Sequence, residues 1–158
     1  MAADRPVQLT RAEIGRLSGR EALQGMVDGR YAGPPIADVL GFRPVAVGDG
    51  TVTFAGTAGS DVYNPIGTVH GGWAATILDS CMACAVHSKL PAGRAYTSVE
   101  IKISFARPIF AETGELRATG TVLTFGRRLA TSEGKLTDAE GRLYAHGTTT
   151  CLIFDAPD

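Results

Sequence analysis

The stretch Trp73-Ala-Ala-Thr-Ile-Leu-Asp79-Ser-Cys-Met-Ala-Cys-Ala-Val86 decides the fold, because it is apolar or small almost all the way round. Such a segment predicts a helix, over about residues 71–88, that must be covered on all sides. The turn residues at 91–93 end it. A buried carboxylate is costly unless it is paired or used. Asp79, in the middle of this helix, is therefore the first candidate functional residue.

Strand patterns lie on both sides of the helix. Residues 98–105 alternate, with Val99, Ile101, Ile103 and Phe105 on one face, which predicts a half-buried antiparallel strand. Gly48-Asp-Gly50 predicts a hairpin turn between two further strands. The other predicted strands are residues 42–47, 51–57, 115–125, 128–137 and 142–154. About six strands, five of them antiparallel neighbours, and one long helix make an α+β fold with the helices on one side of the sheet.

The N-terminal part of the chain predicts one additional helix. Thr10 with Glu13 forms a capping-box pattern, followed by a broken apolar stripe that includes Ile14 and Leu23. Residues 31–35 break this helix, and residues 36–40 predict one further turn. We therefore divide the chain into an N-terminal helical extension, residues 1–35, and a main domain, residues 36–158. At 158 residues the two form one domain overall.

Composition excludes several classes of function. A formal net charge of -1 and a pI near 6.3 give no electrostatic footprint for nucleic acid or an anionic membrane. No signal peptide and no membrane-spanning apolar run is evident, so we expect a cytoplasmic protein. Cys81 and Cys84 lie inside the predicted helix and favour core packing over redox chemistry. The three histidines and three cysteines show no metal-ligand spacing, so we expect no metal.

A second motif lies just before the helix. Asn64-Pro-Ile-Gly-Thr-Val-His70-Gly71-Gly72 is a glycine-bearing entry that can present bare backbone N–H groups at a helix start. It places a potential anion site next to the acid at Asp79. Phosphate-binding loops, dinucleotide fingerprints and serine-hydrolase elbows do not occur in the sequence.

Together with Val99-Glu-Ile-Lys-Ile-Ser-Phe105-Ala-Arg-Pro108, these motifs resemble the hotdog-fold acyl-CoA thioesterases of the phenylacetate-pathway (PaaI-like) type. The signature of that family is an Asn, then His-Gly-Gly, then an acidic residue on the central helix, and the resemblance covers about residues 36–154. It implies a curved antiparallel sheet wrapped around the helix. It also implies a homodimer paired edge to edge, and a dimer of dimers as homotetramer. Ala83 stands where some branches carry a Thr, which favours the phenylacetate type over the hydroxybenzoate type.

The resemblance implies roles for individual residues in the hydrolysis of an aryl- or medium-chain acyl-CoA. Asp79 acts as general base or nucleophile, and the Gly71 N–H binds the oxyanion. Asn64 contacts the thioester carbonyl or the attacking water, with His70 and Gly72 in support. No cofactor is needed, because coenzyme A is part of the substrate. Its phosphates call for cations, and three arginines at strand ends suit them: Arg107, Arg127 and Arg128.

Alternatives remain at this stage. Asn64 is also typical of a turn before Pro65, and Asp79 could be a satisfied buried acid bonded to Thr76. His70 could be a general base or order the loop, and the three arginines could be ordinary surface residues. At the level of function, the alternatives are a non-catalytic acyl-CoA-binding module and an acyl-thioester dehydratase on the same fold, which would pair a His with an acid.

Overall fold

The apolar stretch around Asp79 forms the longest helix of the protein. The computed structural model describes residues 6–156. Three short helices, α1 (Arg11–Gly15), α2 (Gly19–Val27) and α3 (Pro35–Leu40), precede the long helix α4 (Gly71–His87). Single 3-10 turns lie at Ser60–Val62 and Ala111–Thr113. The predicted bounds of the long helix are confirmed to within one residue.

Six strands form a single sheet in which all neighbours are antiparallel. They are β1 (Phe42–Gly48), β2 (Thr51–Gly56), β3 (Arg94–Phe105), β4 (Leu116–Phe125), β5 (Leu129–Thr137) and β6 (Leu143–Asp155). Their spatial order is β1-β2-β4-β5-β6-β3, so β1 and β3 are the edges. This sheet curves around α4 and gives the α+β hotdog arrangement that the resemblance implied.

The N-terminal region differs from the single helix predicted there. Ser18 interrupts it and starts a second helix, α2, with its own capping box: the Ser18 hydroxyl accepts from the Glu21 N–H, and the Glu21 carboxylate accepts from the Ser18 N–H. Thr10 and Glu13 form the predicted box of α1. Because each box satisfies the free N–H groups of a new first turn, two short helices replace one long helix.

Helix α4 lies unusually close to the sheet because glycines face it. Gly120 and Gly134 are directly opposite each other on β4 and β5. A Cβ atom at Gly120 would overlap the backbone carbonyl of Cys81, and one at Gly134 would be 2.7 Å from Cγ of Met82. The Ser132 hydroxyl donates to the carbonyl of Met82 at 2.8 Å. The absence of side chains at these two positions therefore allows α4, which carries Asp79, to lie this close to the sheet.

Strand β3 corrects the prediction of a half-buried strand over residues 98–105. It begins at Arg94 and is an edge strand whose residues are mostly exposed. Val99 is 54 % exposed and is the extra residue of a β-bulge, so it does not share the regular alternation of Ile101 and Ile103. Phe105 is 59 % exposed. The apolar alternation is real, but within one chain this edge of the sheet lies open.

Part of the cover that α4 needs beyond the sheet comes from its own chain. Helix α2 packs against α4 from the same chain, and the two lie so close that a Cβ at Gly19 would overlap the backbone of His87. Nine of the 17 residues of α4 are buried. The half-buried remainder includes Ala75, Asp79 and Ser80. The open side of α4 is therefore narrow, and Asp79 lies on it.

Candidate active site

Asp79 is half-buried on α4 and is held by one hydrogen bond. Its Oδ1 accepts from the hydroxyl of Ser98 on β3 at 2.8 Å. Thr76, the partner named in the alternative of a satisfied buried acid, instead donates to the carbonyl of Gly72 at 2.8 Å. Within residues 6–156, no second hydrogen bond and no cation engages the Asp79 carboxylate. Oδ2 is therefore free to accept a proton or to attack a carbonyl carbon.

This carboxylate lies on the wall of a cavity of 590 Å³ between α4, the start of β3 and the N-terminal helices. Apolar side chains from α2 and β2, among them Leu23, Met26 and Phe54, line it. Most small-molecule sites have volumes of about 300–1,000 Å³ and mostly apolar walls. The cavity is therefore large enough for an organic substrate beside Asp79.

The start of α4 presents a free backbone donor. His70 is the N-cap, and its Nδ1 accepts from the Gly72 N–H at 2.8 Å, so this ring is bonded to backbone and orders the helix start. No hydrogen bond among residues 6–156 uses the Gly71 N–H. The helix dipole favours negative charge at this position. The Gly71 N–H can thus stabilise an oxyanion.

Asn64 closes the loop that leads into α4. Its Oδ1 accepts from the N–H groups of Ile66 (3.1 Å) and Thr68 (3.3 Å), and its Nδ2 donates to Oγ1 of Thr68 at 2.9 Å. This geometry is that of the turn alternative. One hydrogen of Nδ2 remains for a ligand, because the amide nitrogen carries two. The loop role is therefore compatible with a contact to substrate.

Within one chain, the candidate residues fall into two separate depressions. Asn64, His70, Gly71 and Arg107 line a second cleft of 430 Å³ that does not include Asp79. Since α4 rises about 1.5 Å per residue, the eight residues from Gly71 to Asp79 span about 12 Å. A single chain therefore does not bring the acid and the oxyanion donor onto one carbonyl.

The other two arginines lie away from Arg107. Arg127 and Arg128 are exposed in the connection between β4 and β5. The backbone carbonyl of Arg127 accepts from Arg94, a residue that lines the Asp79 cavity. Of the three candidate phosphate ligands, only Arg107 lines one of the two depressions.

Cysteine and metal chemistry find no support in the residues that the structure describes. Burial raises the pKa of the Cys81 thiol well above its usual range and that of Cys84 to about 12, so both are protonated and unreactive near neutral pH. Residues 6–156 contain no group of three or more His, Cys, Asp or Glu side chains placed to hold a metal ion. Over the same range, no helix is long and apolar enough to cross a bilayer.

Sequence reasoning missed Ser98 and the contribution of the N-terminal helices. The polar face expected for β3 began at Glu100, whereas the bulge at Val99 reverses the alternation and turns Ser98 toward α4. Its position just before an apolar run on a strand gave no usable signal. Leu23 and Ile14 belonged to the predicted apolar stripe, which could have indicated a wall for the site, whereas Met26 was not part of it.

The fold and the site together define a class of protein: a hotdog domain with an acid on its central helix and a free N–H at the start of that helix. Residues 66–145 match the family model of the thioesterase superfamily. The chain belongs to that superfamily, and its predicted PaaI-like type is confirmed.

Solved structures agree with this assignment. The phenylacetic acid degradation-related protein of Ralstonia eutropha JMP134 is 30% identical, with a TM-score of 0.74, and the match covers 82% of this chain and 98% of that one. A conserved protein of Pseudomonas aeruginosa is 28% identical, with a TM-score of 0.71, over 77% of this chain and 94% of that one. The Escherichia coli PaaI protein, at 21% identity, shares the fold, with a TM-score of 0.75 over 88% and 98% of the two chains. A comparison with curated proteins finds no significant match.

Proposed function

We propose that this thioesterase-superfamily protein hydrolyses an aryl- or medium-chain acyl-CoA to the free acid and CoA. The observation that carries the proposal is the Asp79 carboxylate on the wall of a largely apolar cavity, with one oxygen fixed by Ser98 and the other unpaired within the described residues. Among residues 6–156, the single bond from Ser98 leaves the second oxygen of this half-buried carboxylate without a partner. It is available to a reacting group in the cavity.

The chemistry needs an activated oxygen and an oxyanion donor. In one route, Asp79 Oδ2 takes a proton from a water molecule while the oxygen of that water attacks the thioester carbonyl carbon. In the other, Asp79 Oδ2 itself attacks this carbon and forms an anhydride, which water then cleaves. The carbonyl oxygen gains negative charge, which the Gly71 N–H stabilises. The C–S bond then breaks, and the CoA thiolate leaves and is protonated. Asn64 supplies a further donor from its second amide hydrogen.

The active site would be shared between two subunits. Asp79 and the Gly71 N–H lie too far apart in one chain, and antiparallel pairing of two copies of α4 would bring Asp79 of each to Gly71 of the other. The exposed apolar residues of the β3 edge, Val99, Ile101 and Phe105, support such pairing, because an unpaired apolar edge strand favours association. Such pairing would give a homodimer with two equivalent active sites. Two of these dimers would then associate into a homotetramer.

The same pairing would gather the arginines. Arg107 lies in the cleft of Gly71, and the backbone carbonyl of Arg127, next to Arg128, accepts from Arg94 of the Asp79 cavity. Joining the two depressions across a dimer would place cations from both chains around one CoA, whose phosphates they would bind. We propose no further cofactor, and a cytoplasmic location.

A panel of acyl-CoAs with released thiol as readout tests this function. We expect turnover by the wild type and a loss of at least about 100-fold in kcat for Asp79→Asn, because the amide keeps the Ser98 hydrogen bond but cannot take a proton. Asp61→Asn, at an exposed carboxylate outside both depressions, is the matched control. Wild-type activity in Asp79→Asn would contradict the proposed mechanism.

The same assay separates the alternatives. Tight acyl-CoA binding without thiol release would establish a binding module. Loss of water from a 3-hydroxyacyl-CoA added to the panel, giving the enoyl-CoA without thiol release, would establish a dehydratase. No hydrogen bond or ion pair among residues 6–156 joins a histidine to a carboxylate, so the geometry gives no support to a dehydratase pair. Thioester hydrolysis thus remains the activity that the site supports best.

A further inference from the structure

The Asp79 cavity is elongated along α4. Ala83 and Cys84 line it about one turn beyond Asp79, and His87 lines it two turns beyond. From the helical rise, the distance along the axis from Asp79 to His87 is about 12 Å. Ala83 carries only a methyl group, which leaves the middle of this path open. The cavity therefore has the form of a channel that starts at the candidate acid.

The N-terminal helices border the far end of the channel. The Gly19 N–H donates to the carbonyl of Leu90 at 3.0 Å, and the Gly93 N–H donates to the carbonyl of Gly15 at 2.8 Å. The His87 ring stacks on Tyr96 with centroids 4.9 Å apart, and both residues line the cavity. These backbone bonds tie α1 and α2 to the segment that follows α4. The His87–Tyr96 pair lies farthest along α4 from Asp79 among the lining residues of that helix and its contacts.

Among residues 6–156, no buried and unpaired charge lines the far end of the channel. Burial lowers the pKa of His87 to about 4, so its imidazole is neutral near neutral pH. Arg94 is paired with Asp155 at 2.6 Å, and Arg11 is exposed. Leu23 and Phe54 contribute buried apolar surface. An uncharged apolar group is therefore the occupant that this wall suits.

We propose that this channel holds the acyl chain of the substrate along α4, with its carbonyl at Asp79 and its end at His87 and Tyr96, so that the protein selects linear medium-length chains. The inference rests on the proposed function and narrows its substrate class. An extended chain advances roughly 1.3 Å for each C–C bond of about 1.5 Å, so 12 Å accommodates about nine carbons beyond the carbonyl. An aryl group would fill only the part of the channel nearest Asp79.

Binding of non-hydrolysable alkyl-CoA thioethers, from four to fourteen carbons and with a phenylethyl member, tests the inference by titration calorimetry. We expect the affinity of the wild type to rise about fourfold per methylene and to stop rising near nine or ten carbons. Ala83→Leu should block the channel halfway, so that the rise stops near five carbons and the decyl affinity falls by roughly 250-fold or more, four methylenes at about fourfold each. His87→Ala should move the limit about two carbons longer. Ala139→Leu, in the exposed turn between β5 and β6, is the matched control and should leave the profile unchanged.

Each outcome is decisive. The inference would be overturned, without any variant, if the affinity of the wild type did not depend on chain length or if the phenylethyl thioether bound most tightly. Equal profiles for the wild type and His87→Ala would overturn it even if Ala83→Leu fails to fold. Because thioethers cannot be hydrolysed, their binding is independent of catalysis: failure of thiol release would refute the proposed function, and failure of the length profile would refute the acyl channel.

Discussion

Replacing Asn64 by Asp separates the loop role of this residue from its proposed contact with substrate. Asp retains the acceptor oxygen that binds the N–H groups of Ile66 and Thr68, and the Thr68 hydroxyl can reverse and donate to the second carboxylate oxygen. What Asp cannot provide is the N–H donor that would reach the thioester carbonyl. The variant therefore changes the chemistry and leaves the loop intact.

The magnitudes follow from the bonds lost. Loss of one hydrogen bond to a group that becomes charged costs about 1.5–3 kcal/mol, which corresponds to a fall in kcat/KM of roughly 10- to 150-fold for Asn64→Asp. Its free energy of unfolding should be nearly unchanged. Asn64→Ala removes all three loop bonds as well, and each is worth about 1 kcal/mol, so it should lose both activity and about 1–3 kcal/mol of stability.

Thiol release and urea unfolding, measured on both variants, check this prediction. Asn64→Ser is the control for the charge that Asp introduces, because Ser is neutral, keeps a turn-forming oxygen and lacks the amide. We expect it to lose activity to a similar degree. Full activity in Asn64→Asp and Asn64→Ser, with loss only in Asn64→Ala, would refute the substrate contact and leave Asn64 as a loop residue.

Two further predictions concern α4. Gly120→Ala should destabilise the protein by about 1–3 kcal/mol or more in urea unfolding, because the added methyl overlaps the backbone of α4. The control, Gly33→Ala, has nothing within 4 Å of its Cβ and should be neutral or stabilising. Equal effects of the two substitutions would contradict the close contact between α4 and Gly120. Because the pKa of His87 is lowered in the folded protein, its imidazole takes up a proton in the unfolded chain at a higher pH than in the folded one. Its contribution to stability is complete above about pH 6.5 and is lost as the pH falls toward 4. His87→Phe should therefore show a smaller fall in melting temperature over that range, and parallel curves would refute the assignment.

The sequence predicted the framework of the fold because its strongest signals are local. The apolar stretch around Asp79, the hairpin at Gly50 and the alternation of the strands depend on neighbouring residues, and their bounds are reproduced to within about one residue at most ends. The break at Ser18 was also local, as the Ser18–Glu21 capping box shows. It was overlooked because the apolar stripe continues across it.

The candidate site was less predictable, because its geometry depends on distant residues. The partner of Asp79 is Ser98, 19 residues away, and the bulge at Val99 that turns Ser98 inward has no sequence signature. The walls of the cavity come from helices in the first third of the chain. The residue types in the Asn64 to Gly72 motif identified the candidate positions, and the eight-residue spacing already separates Gly71 from Asp79 by about 12 Å along the helix. The folded chain adds which depression each of them faces.

The central claim is that Asp79 of one subunit works with Gly71 of its partner. Gly71→Pro removes the N–H and suits the position, because Pro is favoured at the first residue of a helix and His70 already has the extended backbone that precedes Pro. Gly71→Ala is its control, since it keeps the N–H and meets the same Phe105 ring. It should retain activity.

The most direct test is complementation between two inactive proteins, Asp79→Asn and Gly71→Pro, mixed in equal amounts after subunit exchange is established by mass spectrometry. Random exchange makes half of the dimers heterodimers, and each heterodimer regains one of its two sites. Thiol release should therefore recover to about one quarter of the wild-type rate. No recovery in a mixture shown to contain folded heterodimers, or full activity of a wild-type monomer in sedimentation at assay concentration, would contradict the shared site.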